Sequence, residues 1–160
     1  MKVDVKLIDP RLSDWGFPHW GSDLAAGLDL HACLDEPLRL RAAAAPVLIS
    51  AGLAIRIGDP EWCGLVAPRS GTGHRGLVLG NTVGIIDADY EGPVLVSAWN
   101  RNAPGSPDIT VAPGERIAQM VFVRVGRPVF SVVSDFATAS RRGEGGFGST
   151  GQAPNLRPEP

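Results

Sequence analysis

Apolar and polar residues alternate with a period of two in KVDVKL (2–7), at Leu28, Leu30 and Ala32, in LRLR (38–41), at Leu53, Ile55 and Ile57, and at Val94 and Val96. Period two is strand geometry, because successive side chains leave a strand on opposite faces. Nearly continuous apolar runs at 62–67, 77–79, 117–123 and 129–133 predict strands buried on both faces. Glycine (20) and proline (14) recur every few positions instead of gathering in one linker, which suits many short strands joined by tight turns. Helical signal is sparse. RAAAAP (41–46) ends in proline after five residues, FATASR (136–141) allows one or two turns, and a short helix capped by the Ser70 hydroxyl precedes GTGHRG. The pattern predicts an all-β domain over 1–140, compatible with a sandwich, a jelly roll or a small barrel. From about residue 140 the chain reads RRGEGGFGSTGQAPNLRPEP, with five glycines, three prolines and almost no apolar residue. Such a segment cannot bury itself, so 141–160 is expected to be a flexible tail.

At 160 residues, 44% hydrophobic and with a net charge of −2, the chain has one domain's worth of length and no general attraction to nucleic acid or anionic membranes. No apolar run approaches the ~18 residues of a membrane span, and MKVDVKLIDP alternates where a signal peptide would be apolar, so a cytoplasmic location is expected. Cys33 and Cys63 lie thirty positions apart, with only His19, His31 and His74 to complete a metal site. This spacing argues for two buried thiols in a reducing compartment and against zinc. Of the fifteen basic residues thirteen are arginine, and the two lysines are Lys2 and Lys6. Phosphate handling would therefore fall to arginine forks, backbone amides and a metal ion instead of a P-loop lysine.

Four turn segments carry polar residues beyond what a strand connection needs. In APRSG (67–71), Arg69, the Ser70 hydroxyl and the amides of Ser70 and Gly71 meet at a helix start, a place suited to an anion or simply a solvated surface turn. LGNTVGIIDADYEGP (79–93) reads as a hairpin that puts Asp87, Asp89 and Glu91 on one face around Tyr90. Crowded carboxylates point to a nearby cation or to one used as a base, with an acidic solvent-exposed tip as the alternative. In PGERIAQMVF (113–122), Gln119 interrupts an apolar strand and needs a partner. The tail sets Arg142, Phe147, Gly148, Ser149 and Thr150 among glycines whose amides can close around a ligand.

In order, AGLDL (26–30), PRSG (68–71), GNTVGIIDADYEG (80–92), PGERIAQM (113–120) and RGEGGFGSTG (142–151) resemble the five motifs of the trimeric dUTPase family in its short bacterial form. The resemblance covers the chain from Lys2 to about Gly151. It implies a jelly-roll-like β-barrel, a homotrimer with sites shared between subunits, and magnesium-assisted hydrolysis of dUTP to dUMP and pyrophosphate. That reaction keeps uracil out of DNA and supplies dUMP for thymidylate synthesis. By the same resemblance, Asp87 activates the water that attacks the α-phosphorus, while Asp89 is structural. Asn81 and the backbone from Gly84 through Ile85 and Ile86 to Asp87 hold uracil, Tyr90 packs on the deoxyribose, and Leu95 lines the pocket. Arg69, Ser70, Gly71 and Gln119 bind the phosphate chain. The tail would close over a neighbouring subunit's nucleotide, with Arg142, Gly148, Ser149 and Thr150 at the γ-phosphate and Phe147 on the base. The resemblance implies no direct protein ligand for Mg2+, with Asp29 near it through water. Ala25 and His31 depart from the expected serine and arginine, and residues 152–160 carry no signal. A dCTP deaminase of the same fold, or a non-catalytic nucleotide-sensing or protein-binding module, is the alternative; the hairpin with Tyr90, Asp87 and the fifth motif favour the hydrolase.

Overall fold

The computed structural model describes residues 1–138 and 143. In chain order its elements are β1 (Asp4–Leu7), α1 (Arg11–Asp14), β2 (Leu28–His31), β3 (Leu38–Leu40), β4 (Val47–Arg56), β5 (Trp62–Pro68), α2 (Ser70–His74), β6 (Leu77–Leu79), β7 (Gly84–Ile86), β8 (Pro93–Asn100), β9 (Ile109–Val111) and β10 (Arg116–Arg124). One antiparallel sheet has the order β1-β4-β8-β6, a second β2-β10-β5-β7, and β3 pairs with β9. From β5 to β8 the chain changes sheet at every connection, the crossing pattern of a jelly-roll-like β structure.

Alternation is clearest in β8, where Val94, Val96, Ala98 and Asn100 are buried while Leu95 faces out. Val94 and Val96 join Ile49, Leu53 and Ile55 of β4, Leu30 of β2, Val66 of β5, and Ile117 and Met120 of β10 in a single core. Each large side chain so buried contributes roughly 1.5–3 kcal/mol. Buried Asn100 is satisfied: its Nδ2 donates to the Leu40 carbonyl at 3.0 Å and its Oδ1 accepts from the Asn102 amide at 3.2 Å.

Several expectations need correction. The runs at 62–67 and 117–123 are strands, but Leu65, Val121 and Val123 are only half-buried, because one face of that sheet covers the core, where Phe122 packs, and the other does not. The run at 129–133 forms no strand, and Val129, Phe130 and Val132 are exposed. Apolar content marks what should be covered, but a strand also needs a ladder partner, and none of the described strands pairs with this run. The segment 79–93 is not a two-stranded hairpin: β7 pairs with β5, while β8 pairs with β4 and β6 in the other sheet. RAAAAP is a turn with Ala43 at φ +56, and 136–138 are not helical; the remainder of FATASR lies outside the described residues. Helix α2 does begin at Ser70, but no side chain caps it; the Thr72 hydroxyl donates to the Arg69 carbonyl instead. Helix α1 was not foreseen. Pro10 presets its first turn, the Asp9 carboxylate accepts the Arg11 amide at 3.0 Å, and fully buried Leu12 anchors it.

Residues Met1–Gly126 form one compact unit, and the chain from Arg127 is assigned to a second. Cys33 and Cys63 are unbridged, and burial pushes the Cys33 thiol up to about 12. Among the described residues, no helix is long and apolar enough to cross a membrane.

Candidate active site

Strand β10 is the spine of one group of expected site residues, those of the first, second and fourth motifs. Its register sets Gln119 opposite Asp29 on β2 and opposite Ala67 on β5, so the first, second and fourth motifs meet around one side chain. Gln119 Nε2 donates to the Pro68 carbonyl at 3.0 Å, which answers its need for a partner within an apolar strand. Gly27 makes room for it, since a Cβ there would collide with the Gln119 amide. Together with Gly21, Ala25, Ser70 and Gly71 these residues line a cavity of about 680 Å³.

Asp29, 5% exposed, is the electrostatic centre of that wall. Its Oδ1 takes Arg69 Nε at 2.7 Å and its Oδ2 takes Arg116 Nη1 at 3.0 Å, while Arg69 Nη1 also donates to the Arg116 carbonyl at 3.3 Å. One carboxylate against two guanidiniums leaves the wall net positive, as a polyphosphate requires. Both oxygens accept from guanidinium donors, so Asp29 does not fit as a direct magnesium ligand. No group of three His, Cys, Asp or Glu able to hold a metal occurs among the described residues. As first-turn residues of α2, Ser70 and Gly71 have amides without an intrahelical acceptor. Behind Asp29, His31 is buried with Nδ1 unpartnered, and burial holds its pKa below the ordinary imidazole value.

The residues of the third motif, expected at the base, lie elsewhere on the chain. Gly84, Ile85 and Ile86 pair with Val66, Leu65 and Gly64, and β7 is the edge of its sheet. One row of its amides and carbonyls is thus left outside the ladder. Gly84 permits the close approach, since a Cβ would sit 3.2 Å from Val66 Cβ. Before it, Val83 N donates to the Asn81 carbonyl at 2.7 Å around Thr82, which takes φ +63, a strained tight turn for a β-branched residue. After it the chain turns, with Tyr90 N bonded to the Asp87 carbonyl at 3.2 Å and Ala88 buried. That turn breaks the expected alternation of Asp87, Asp89 and Glu91. Asp87 is exposed, and Glu91 pairs with Arg56 at 3.3 Å. Tyr90 Oη donates to the Pro93 carbonyl at 3.0 Å over Gly92, where a Cβ would lie 2.5 Å from that oxygen. Leu95, opposite Ser50 on β4, is 44% exposed.

The β5–β7 register sets these two groups of residues toward opposite ends of β5. Continuing the β7 register places Asp87 opposite Cys63, six positions before Arg69 along β5. At ~3.3 Å per strand residue that separation is about 20 Å. Arg142, Phe147, Gly148, Ser149 and Thr150 lie outside the described residues. Sequence reasoning passed over Arg116, His19, Gly27 and Gly92. For Arg116 the available signal was a charged residue inside the PGERIAQM strand, and for His19 there was none, because its partners are 10 and 97 positions away.

The family model described as dUTPase matches residues 13–151. The chain is 55% identical over 151 residues to a deoxyuridine 5'-triphosphate nucleotidohydrolase of Methylibium petroleiphilum, covering 94% of this chain and 97% of that protein. It is 52% identical over 153 residues to the Cronobacter sakazakii protein of the same name, with the same two coverages. Among solved structures, a Staphylococcus bacteriophage 80alpha dUTPase variant with dUpNHpp superposes with a TM-score of 0.77 at 26% identity, covering 94% of this chain and 98% of that one.

Proposed function

Because the chain belongs to the dUTPase family, the reaction it carries out is hydrolysis of dUTP to dUMP and pyrophosphate, and we propose that Asp87 is its general base. The Asp87 carboxylate takes a proton from water as the water oxygen bonds to the α-phosphorus. The bond from that phosphorus to the oxygen bridging to the β-phosphate breaks, and pyrophosphate leaves with the electron pair. Arg69, Gln119 and the amides of Ser70 and Gly71 hold the phosphates. Magnesium, when bound with the nucleotide, would offset phosphate charge, with Asp29 near it only through water.

The observation that carries this reading is the separation of about 20 Å between Asp87 and Arg69 along one chain, at the ~3.3 Å rise of a strand. That separation favours a site in which the base side of one chain faces the phosphate side of another, as in the homotrimer that the five motifs imply. The unpaired edge of β7 supports uracil recognition: backbone groups from Gly84 to Asp87 and the Asn81 side chain match the base. Thymine is excluded by its methyl group and cytosine by unpaired donors and acceptors. Leu95 adds an apolar wall. The 1–140 domain carries these groups, and 141–160 closes over a neighbour's nucleotide through Arg142, Phe147, Gly148, Ser149 and Thr150. Two unbridged thiols support a cytoplasmic location. Both relatives compared are named for dUTP hydrolysis, so the deaminase and sensor readings are not favoured.

Pyrophosphate release from dUTP beside dCTP, dTTP and UTP tests the reading: rapid release from dUTP alone is expected, and ammonia from dCTP would replace it. Deleting 141–160 should leave oligomer and fold intact while removing most turnover, measured by size-exclusion chromatography and steady-state kinetics; full activity would refute the closing role. Gly92→Ala should displace the Tyr90 ring, because its Cβ would lie 2.6 Å from Tyr90 Cζ. The expected result is a higher KM for dUTP and weaker rejection of UTP at unchanged melting temperature, read from kcat/KM for both nucleotides.

A further inference from the structure

Arg69 reaches the cavity because other groups hold it, and the chain of holders extends beyond the cavity lining. Arg116 Nη1, besides its bond to Asp29, lies 2.8 Å from His19 Nε2. A guanidinium only donates, so Nε2 accepts and the ring proton sits on Nδ1. The backbone that carries the ring is held on β2: the His19 carbonyl accepts the Asp29 amide at 2.9 Å, and Trp20 bridges to Leu28. His19 lies 3.7 Å from Asp29 Oδ2, too far for a hydrogen bond. Its contribution to the cluster therefore passes through Arg116.

Arg116 is 40% exposed and long, so with only Asp29 Oδ2 to accept from Nη1 it would gain rotamers and swing toward solvent or toward Oδ1. With His19 as second acceptor it stays on Oδ2, which leaves Oδ1 to Arg69 Nε at 2.7 Å and the Arg116 carbonyl to Arg69 Nη1. Among the described residues Arg69 Nη2 has no acceptor, and its two hydrogens, with the second hydrogen of Nη1, are left to donate to a ligand. We propose that His19 is a positioning residue for phosphate binding, holding Arg116 on Asp29 so that Arg69 is aimed at the nucleotide's phosphates. This rests on the reading of the cavity as the phosphate site.

The test is calorimetric titration of the full-length protein with dUpNHpp and with deoxyuridine. His19→Ala should weaken dUpNHpp about threefold to tenfold, the loss of one hydrogen bond to a charged group, and leave deoxyuridine binding unchanged. His19→Gln, whose amide oxygen can still accept, should recover most of the affinity. In an Arg69→Lys background His19→Ala should cost nothing further, a non-additivity that a merely structural role would not produce. In turnover the defect should appear in KM and not in kcat. Equal losses for both ligands, additive losses in the double variant, or no loss would overturn the proposal. Failure of the unaltered protein to bind dUpNHpp would instead bring down the phosphate-site reading and this proposal with it.

Discussion

Asp87→Asn is expected to lower dUTP turnover by about 10²- to 10⁴-fold, the usual worth of a positioned general base, while leaving dUpNHpp affinity and melting temperature nearly unchanged. Asparagine matches the carboxylate in shape but cannot take the proton. No ion pair involves Asp87 among the described residues, and its side chain is exposed, so its loss should cost little stability. Its neighbours provide the control. Glu91 is paired with Arg56, and Asp89 lies past the turn closed by the Tyr90 amide, so Asp89→Asn should change turnover by much less. Single-turnover pyrophosphate release and calorimetry with dUpNHpp read the two effects separately. Unaltered turnover in Asp87→Asn would move the base to another residue.

Residue pattern made the strands legible because a strand with one face on the core records its geometry at every second position. Val94, Val96 and Ala98 illustrate this. What the pattern could not encode was partnership. GIID and PVLV look like the arms of one hairpin, yet they belong to different sheets, because pairing is decided by which strand edges lie near in space. For the same reason the apolar residues at 129–133 were read as a strand. In the site, residue types were legible where chemistry restricts them: an arginine beside a helix start, a glutamine in an apolar strand, a carboxylate after Ile86. Contacts were not. Asp29 read as a group near a metal through water, with no sign that its carboxylate holds Arg69 and Arg116, and His19 gave no sign of itself because its partner is 97 residues away.

Two inactive variants should restore activity to each other. If the Asp87 of one chain acts on a nucleotide held by the Arg69 of another, an Asp87→Asn chain still offers a sound phosphate wall and an Arg69→Ala chain a sound base. Around a cyclic trimer containing both kinds, one junction of the three brings intact Asp87 to intact Arg69, whichever variant is in the majority. Trimers co-expressed with two affinity tags and purified through both should therefore regain about one third of the activity of the unaltered protein, with each variant alone near background. Complementation of this kind requires only that the two residues lie apart on one chain, as the β5–β7 register has them. Arg69→Ala should also leave the wall folded, since Arg116 continues to neutralise buried Asp29 at 3.0 Å. Mixed trimers as inactive as their parents, or no oligomer carrying both tags, would place the whole site within a single chain and require Asp87 and Arg69 to approach by a rearrangement of β7 against β5. Activity at about one third, rising in proportion to the mixed fraction, would fix the subunit as half a site and make assembly a condition of catalysis.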